Sequence, residues 1–89
     1  MHFIGLLDQS EGEFGVAFPD CPGCVAMGKD RSEALAGAEA ALAEWLGNLP
    51  TASWPDARSE AALRGDPDVA EQIADGARFV LIPAPLARP

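Results

Sequence analysis

The sequence predicts an α+β domain, a small mixed sheet of four strands with its helices packed on one face. Three observations lead there. Residues Phe14 to Glu33 read in unbroken order as strand, turn, strand and helix start. Leu35, Ala38, Leu42, Trp45, Leu46 and Leu49 then recur at three- and four-residue spacing, the period of a helix with one apolar stripe. Finally Ala77 to Pro83 (Ala-Arg-Phe-Val-Leu-Ile-Pro) is a strongly apolar run too short for a core helix and rich in strand formers.

Taken in order, Phe3, Ile4, Leu6 and Leu7 form an opening strand that ends in the turn-like stretch Asp8 to Gly12. From Glu13 to Phe18 the residues alternate, Phe14, Val16 and Phe18 pointing one way and Glu13, Gly15 and Ala17 the other. Pro19 to Gly23 breaks that strand and Cys24 to Met27 makes a short third, so the three form an antiparallel meander. Asp30, three residues before Glu33, is the acidic variant of a capping box. The helix it opens closes near Gly47, Asn48 and Pro50, and Gly37 permits close packing on the sheet. Thr51 to Asp56 is a loop, and Ser59 to Leu63 and Pro67 to Ala74 are short helical turns. Asp66 caps the second of these and Gly76 ends it. Pro83, Pro85 and Pro89 stop the last strand and leave no room for a further helix. Strand–helix–strand crossovers are right-handed and join parallel strands, so the final strand is expected beside the first and parallel to it. The opposite sheet face is then bare unless another chain covers it.

With 89 residues the chain is expected to form one domain over residues 1–89, without a C-terminal DNA-binding segment. A chain of this size buries about two-thirds of its unfolded surface, so its stability margin is thin and a homo-oligomer, dimer or higher, would help it. Fourteen acidic residues against six basic ones give a net charge of −8. Lys29, Arg31, Arg58, Arg64, Arg78 and Arg88 are scattered, whereas binding a phosphate backbone takes several cations on one face. Direct nucleic-acid binding by this chain is therefore not expected. An acidic surface suits a basic protein partner; alternatively it only solvates the fold. No apolar run approaches the roughly 20 residues of a membrane span, and the N-terminus lacks the pattern of a secretory signal, so a cytoplasmic protein is expected.

Cys21-Pro22-Gly23-Cys24 has the spacing of a redox dithiol, but that chemistry needs its first cysteine at a helix N-terminus, and here the second leads into a strand. A zinc site needs a further ligand pair, and His2 is an isolated candidate. A tight Pro-Gly turn with Cys24 packed inward is the reading the context favours. Metal-dependent hydrolysis needs several acids converging on one point. Asp20 lies at a strand end, Asp8, Glu11, Glu13 and Asp30 lie near loops, and Glu39 and Glu44 are not stacked on one helix face. Solvated roles are expected for them, and no cofactor. Trp54, between Ser53 and Pro55, either anchors a partner or folds onto the core. Candidate partner-binding residues are Glu11, Glu13, Asp20 and Trp54.

Phe18-Pro19-Asp20-Cys21-Pro22-Gly23-Cys24, then Gly28, then Ser32-Glu33-Ala34-Leu35 and the Ala-rich helix after them, resemble the N-terminal domain of the HicB family of antitoxins. The likeness covers nearly the whole chain. It implies a partial ribonuclease-H-like fold without catalytic function. It also implies a partner of the HicA type, a small basic RNA-cleaving toxin whose active site the domain blocks. Within the motif, Pro19, Asp20, Pro22, Gly23, Cys24, Gly28 and Glu33 carry over as fold-defining positions. The expected function is that of an antitoxin-type binding module in a HicA/HicB-like toxin–antitoxin system. The alternatives are a stand-alone dimerisation module without a toxin, and a residual nuclease holding magnesium through Asp20 and neighbouring acids.

Overall fold

The computed structural model of the chain describes residues 1–85; Pro89, expected to help end the last strand, lies outside the described residues. Strand β1 (His2–Ser10) runs into β2 (Glu13–Ala17), and β3 (Val25–Gly28) completes the meander. The first strand is longer than its apolar run. Asp8, Gln9 and Ser10 stay paired with Gly15, Phe14 and Glu13, because two residues suffice to reverse the chain. Those two, Glu11 and Gly12, have φ of +50° and +82°, the left-handed pair that matches the twist of a hairpin. Between β2 and β3, Cys21 to Cys24 make a second tight turn. Pro22 stands at its second position, Gly23 has φ +85°, and the Cys24 N–H donates to the Cys21 carbonyl at 2.9 Å.

Helix α1 (Arg31–Gly47) begins where the sequence places it: the Asp30 carboxylate accepts from the Glu33 N–H at 2.8 Å. Its fully buried positions are Ala34, Ala38, Leu42 and Leu46, an i, i+4 row lying on the sheet. Small residues bring helix and strand together. Gly37 faces the Ala26 side chain, and an added Cβ at Gly28 would stand 2.4 Å from the Ala34 nitrogen. A single 3₁₀ turn (Thr51–Ser53) follows, then α2 (Glu60–Arg64), α3 (Pro67–Ala74) and β4 (Arg78–Pro83). Ser59 and Asp66 cap the two short helices, and Gly76, at φ +108°, ends the second turn of chain before β4.

The sheet has the order β3-β2-β1-β4, and every neighbouring pair is antiparallel. The final strand lies beside the first as expected but runs opposite to it, His2 against Pro83 and Leu7 against Arg78. The parallel expectation fails for a geometric reason. Helix α1 carries the chain about 25 Å along the sheet, which alone would deliver a parallel strand. The segment 50–77 then travels back to the end where α1 began, and β4 starts from there.

That return also corrects the expectation of a one-sided sheet. Phe3, Leu7, Val16, Val80 and Ile82 face α1, and Phe18, Cys21, Cys24 and the α1 row complete that core. The alternate residues Ile4 and Leu6 face the other way and are buried by Leu63, Val69 and Ala77, with Ile73 and Phe79 packed alongside. Helices α2 and α3 thus cover the centre of the second face. β1 is buried on both sides, while β4 alternates, Val80 and Ile82 inward and Leu81 outward.

Candidate functional site

The candidate partner-binding residues fall into two pairs. Glu11 and Glu13 sit exposed on the β1–β2 hairpin. Asp20 and Trp54 are engaged within the chain. The Asp20 side chain, only 6% exposed, accepts from the Arg58 backbone N–H at 2.8 Å and from its Nε at 2.6 Å. Arg58 donates through its Nη1 to Asp66 at 3.0 Å, so one guanidinium ties the motif turn to the cap of α3. The solvated role expected for Asp20 therefore gives way to a structural one: the Pro19 to Gly23 turn is fastened where the chain passes from one sheet face to the other. No local pattern in the sequence points to Arg58, which stands 38 residues from Asp20.

Trp54 is half-buried against the larger core, and its indole N–H donates to the Leu46 carbonyl at 2.9 Å. That carbonyl, in the last turn of α1, also accepts from the Leu49 N–H at 3.0 Å, so Trp54 adds a side-chain donor to the closing turn of the helix while it fills the core. Trp45, also in the last turn of α1, donates its indole N–H to the Pro22 carbonyl at 3.2 Å and fixes the motif turn to the helix.

Within the motif, Pro22 and Gly23 form the exposed tip of the turn, and Gly28 and Glu33 mark the strand-to-helix corner. Cys21 and Cys24 are free and buried, and Cys24 leads into β3. Burial, with smaller contributions from Cys24 and Asp20, pushes the Cys21 thiol up to about 11; burial also raises Cys24. These thiols are small core residues with little thiolate at neutral pH, the reverse of what a redox dithiol needs. Among the described residues no three His, Cys, Asp or Glu side chains converge as a metal site, and His2 is exposed on β1. No helix among them is long and apolar enough to cross a membrane.

The Arg58 guanidinium, then the amides of Asp68 and Val69, hold the Asp66 carboxyl below the usual carboxylate range. Its native state binds fewer protons than its unfolded state. The stability it contributes is complete above the ordinary carboxylate pKa and is lost as pH falls through the lowered one. Arg58→Met should therefore lower the urea midpoint at pH 6 and flatten its decline between pH 5 and pH 2. Parallel curves for the two proteins would show that the ion pair is not responsible.

What is left open to a partner lies mainly on the second sheet face, outside the cover of α2 and α3. Val25 and Met27 of β3 are each 60% exposed. By register they share that face with Ala17, Gly15, Asp8 and Glu13. A Cβ added to Gly15 would stand 3.1 Å from both the Asp8 carboxylate and the Met27 sulfur, so those two side chains meet over the glycine. An apolar strip edged by carboxylates results, continuous with Glu11 on the hairpin. The acids were visible in the sequence. Their grouping with Val25 and Met27 depends on strand register.

The fold accords with the comparisons. Residues 3–78 match the family model of the HicB-like antitoxins of bacterial toxin–antitoxin systems, and the chain belongs to that family. Among solved structures it is similar to the N-terminal domain of the Burkholderia pseudomallei antitoxin HicB, at a TM-score of 0.76 and 22% identity, covering 97% of this chain and 100% of that one. The longer HicB antitoxin of Burkholderia pseudomallei superposes at 0.75 with 22% identity over 97% of this chain, which spans 64% of that chain. A chain of a HicA3 and HicB3 toxin–antitoxin complex superposes at 0.72 with 20% identity, over 97% of this chain and 100% of that one. No curated protein matches. At these identities the structural likeness speaks for the fold, an α+β domain with an antiparallel four-stranded sheet and three helices, and the family match for the class.

Proposed function

We propose that the chain is the antitoxin of a HicA/HicB-like pair and that it neutralises a small basic RNA-cleaving protein by covering its active surface in the cytoplasm. The family match over residues 3–78 carries this reading. A complex of HicA3 with HicB3 among the structural neighbours supports the class of partner. The charge of −8 supports its sign, since a basic partner is drawn to an acidic surface and wrong partners are repelled. The contact surface is the carboxylate-edged strip: Asp8, Glu11 and Glu13 steer the toxin, and Val25 and Met27 supply the apolar area that excludes water. The chain acts by binding and carries out no reaction of its own.

Co-expression with the small basic product of the adjacent gene tests this. The two should co-purify at low salt, and the chain should stop RNA cleavage at an equimolar ratio. Glu11→Lys with Glu13→Lys should slow association by about tenfold at low salt and much less at high salt. Undiminished RNA cleavage in the presence of excess chain, or an adjacent product that does not bind, overturns the reading.

A further inference from the structure

We infer that the open edge of β4 is a self-association surface, on which two copies of the chain pair their last strands antiparallel about a two-fold axis at Val80. The backbone states the register. The Ala84 N–H donates to the Met1 carbonyl at 2.9 Å. Amides alternate along an antiparallel strand, so Ile82, Val80 and Arg78 point theirs at β1. Phe79 and Leu81 then direct both N–H and C=O away from the sheet, and Pro83, without an N–H, falls on the same outer side. Pairing Phe79 with Leu81 of a second copy, and Leu81 with its Phe79, uses both outward donors of each strand in four hydrogen bonds. Pro83 stays beyond the paired segment. A register centred on Leu81 would instead set Phe79 against the proline and leave a Phe79 carbonyl without a donor.

Side chains fit the same register. Leu81 is 68% exposed on the second sheet face and would come to rest beside Phe79 of the second copy. The Phe79 ring already carries the Arg64 guanidinium at 4.9 Å. A groove of about 640 Å³ runs along this edge between Arg31 and Leu35 of α1 and Glu60 of α2, room for another strand and its side chains.

Charge selects a second copy over a basic partner here. Arg31, Arg64 and Arg78, three of the six basic residues, stand around this edge with Glu60. A basic protein gains nothing from that rim, and two copies of an acidic chain repel each other least there. Edge strands left open in soluble proteins are usually blunted by charge. No charged residue stands between Phe79 and Ala87, whereas β3, the other edge, is followed at once by Lys29 and Asp30.

Sedimentation velocity and amide exchange on the chain alone test the interface, independently of any toxin. At 100 μM the chain should sediment at twice its monomer mass, and the amides of Phe79 and Leu81 should exchange slowly although they lie on an edge. Leu81→Lys should weaken the dimer by at least about a hundredfold, two buried leucines being lost, with the far-UV spectrum unchanged. Met27→Lys on the opposite edge should leave it intact. A monomer at 100 μM, fast exchange at both amides, or a dimer that Met27→Lys abolishes and Leu81→Lys does not, overturns the inference.

Discussion

Replacing Gly28 by alanine is expected to destabilise the chain by about 3 kcal/mol, a large part of the stability of a domain this small. The new Cβ would stand 2.4 Å from the Ala34 nitrogen, 2.8 Å from the Glu33 carbonyl carbon and 2.9 Å from the Ala34 Cα. These are backbone atoms in the first turn of α1, and no rotamer change moves them aside. The helix would have to lift from β3 and give up part of the contact made by Ala34 and Ala38. Gly47→Ala in the last turn is the matched control. Nothing lies within 4 Å of its added Cβ, and helix propensity alone should favour alanine by up to about 1 kcal/mol. Urea unfolding of the two variants, with opposite shifts of midpoint, is the measurement; equal midpoints would mean that α1 does not rest on Gly28.

Leu63→Ala should cost about 3 kcal/mol, as much as a leucine in the larger core. Leu63 is fully buried although it stands in a helix of only five residues, and with Val69 and Ala77 it closes over Ile4 and Leu6. A sheet covered on one side only would make the same substitution nearly silent, so this variant distinguishes the two architectures directly. Val25→Ala on the exposed part of that face should stay within about 0.5 kcal/mol.

The parts of the fold legible in the sequence are those whose cause is local. Asp30 and Glu33 mark the start of α1, Pro22 and Gly23 specify their turn, and the alternation from Phe14 to Phe18 identifies β2. The direction of β4 was not legible, because it depends on where the segment between α1 and β4 travels and not on the composition of the strand. Helices α2 and α3 were readable from Ser59, Asp66 and Pro67, but their face was not. One large apolar residue in α2 (Leu63) and two in α3 (Val69 and Ile73) do not say which side of a sheet these helices cover. At the candidate site the acids of the hairpin were legible and the Asp20–Arg58–Asp66 tie was not, since its members meet only in the folded chain.

The pairing of β1 with β4 has a kinetic consequence. Leu7 waits for Arg78 and His2 for Pro83, so β1 keeps one edge unfilled until residues 78–83 have been synthesised. Closing so long a loop is slow. During translation the meander and α1 can assemble early, but Ile4 and Leu6 stay wet until Leu63, Val69 and Ala77 have followed, and a nascent chain halted before Arg78 would still offer chaperones and proteases the open edge of β1.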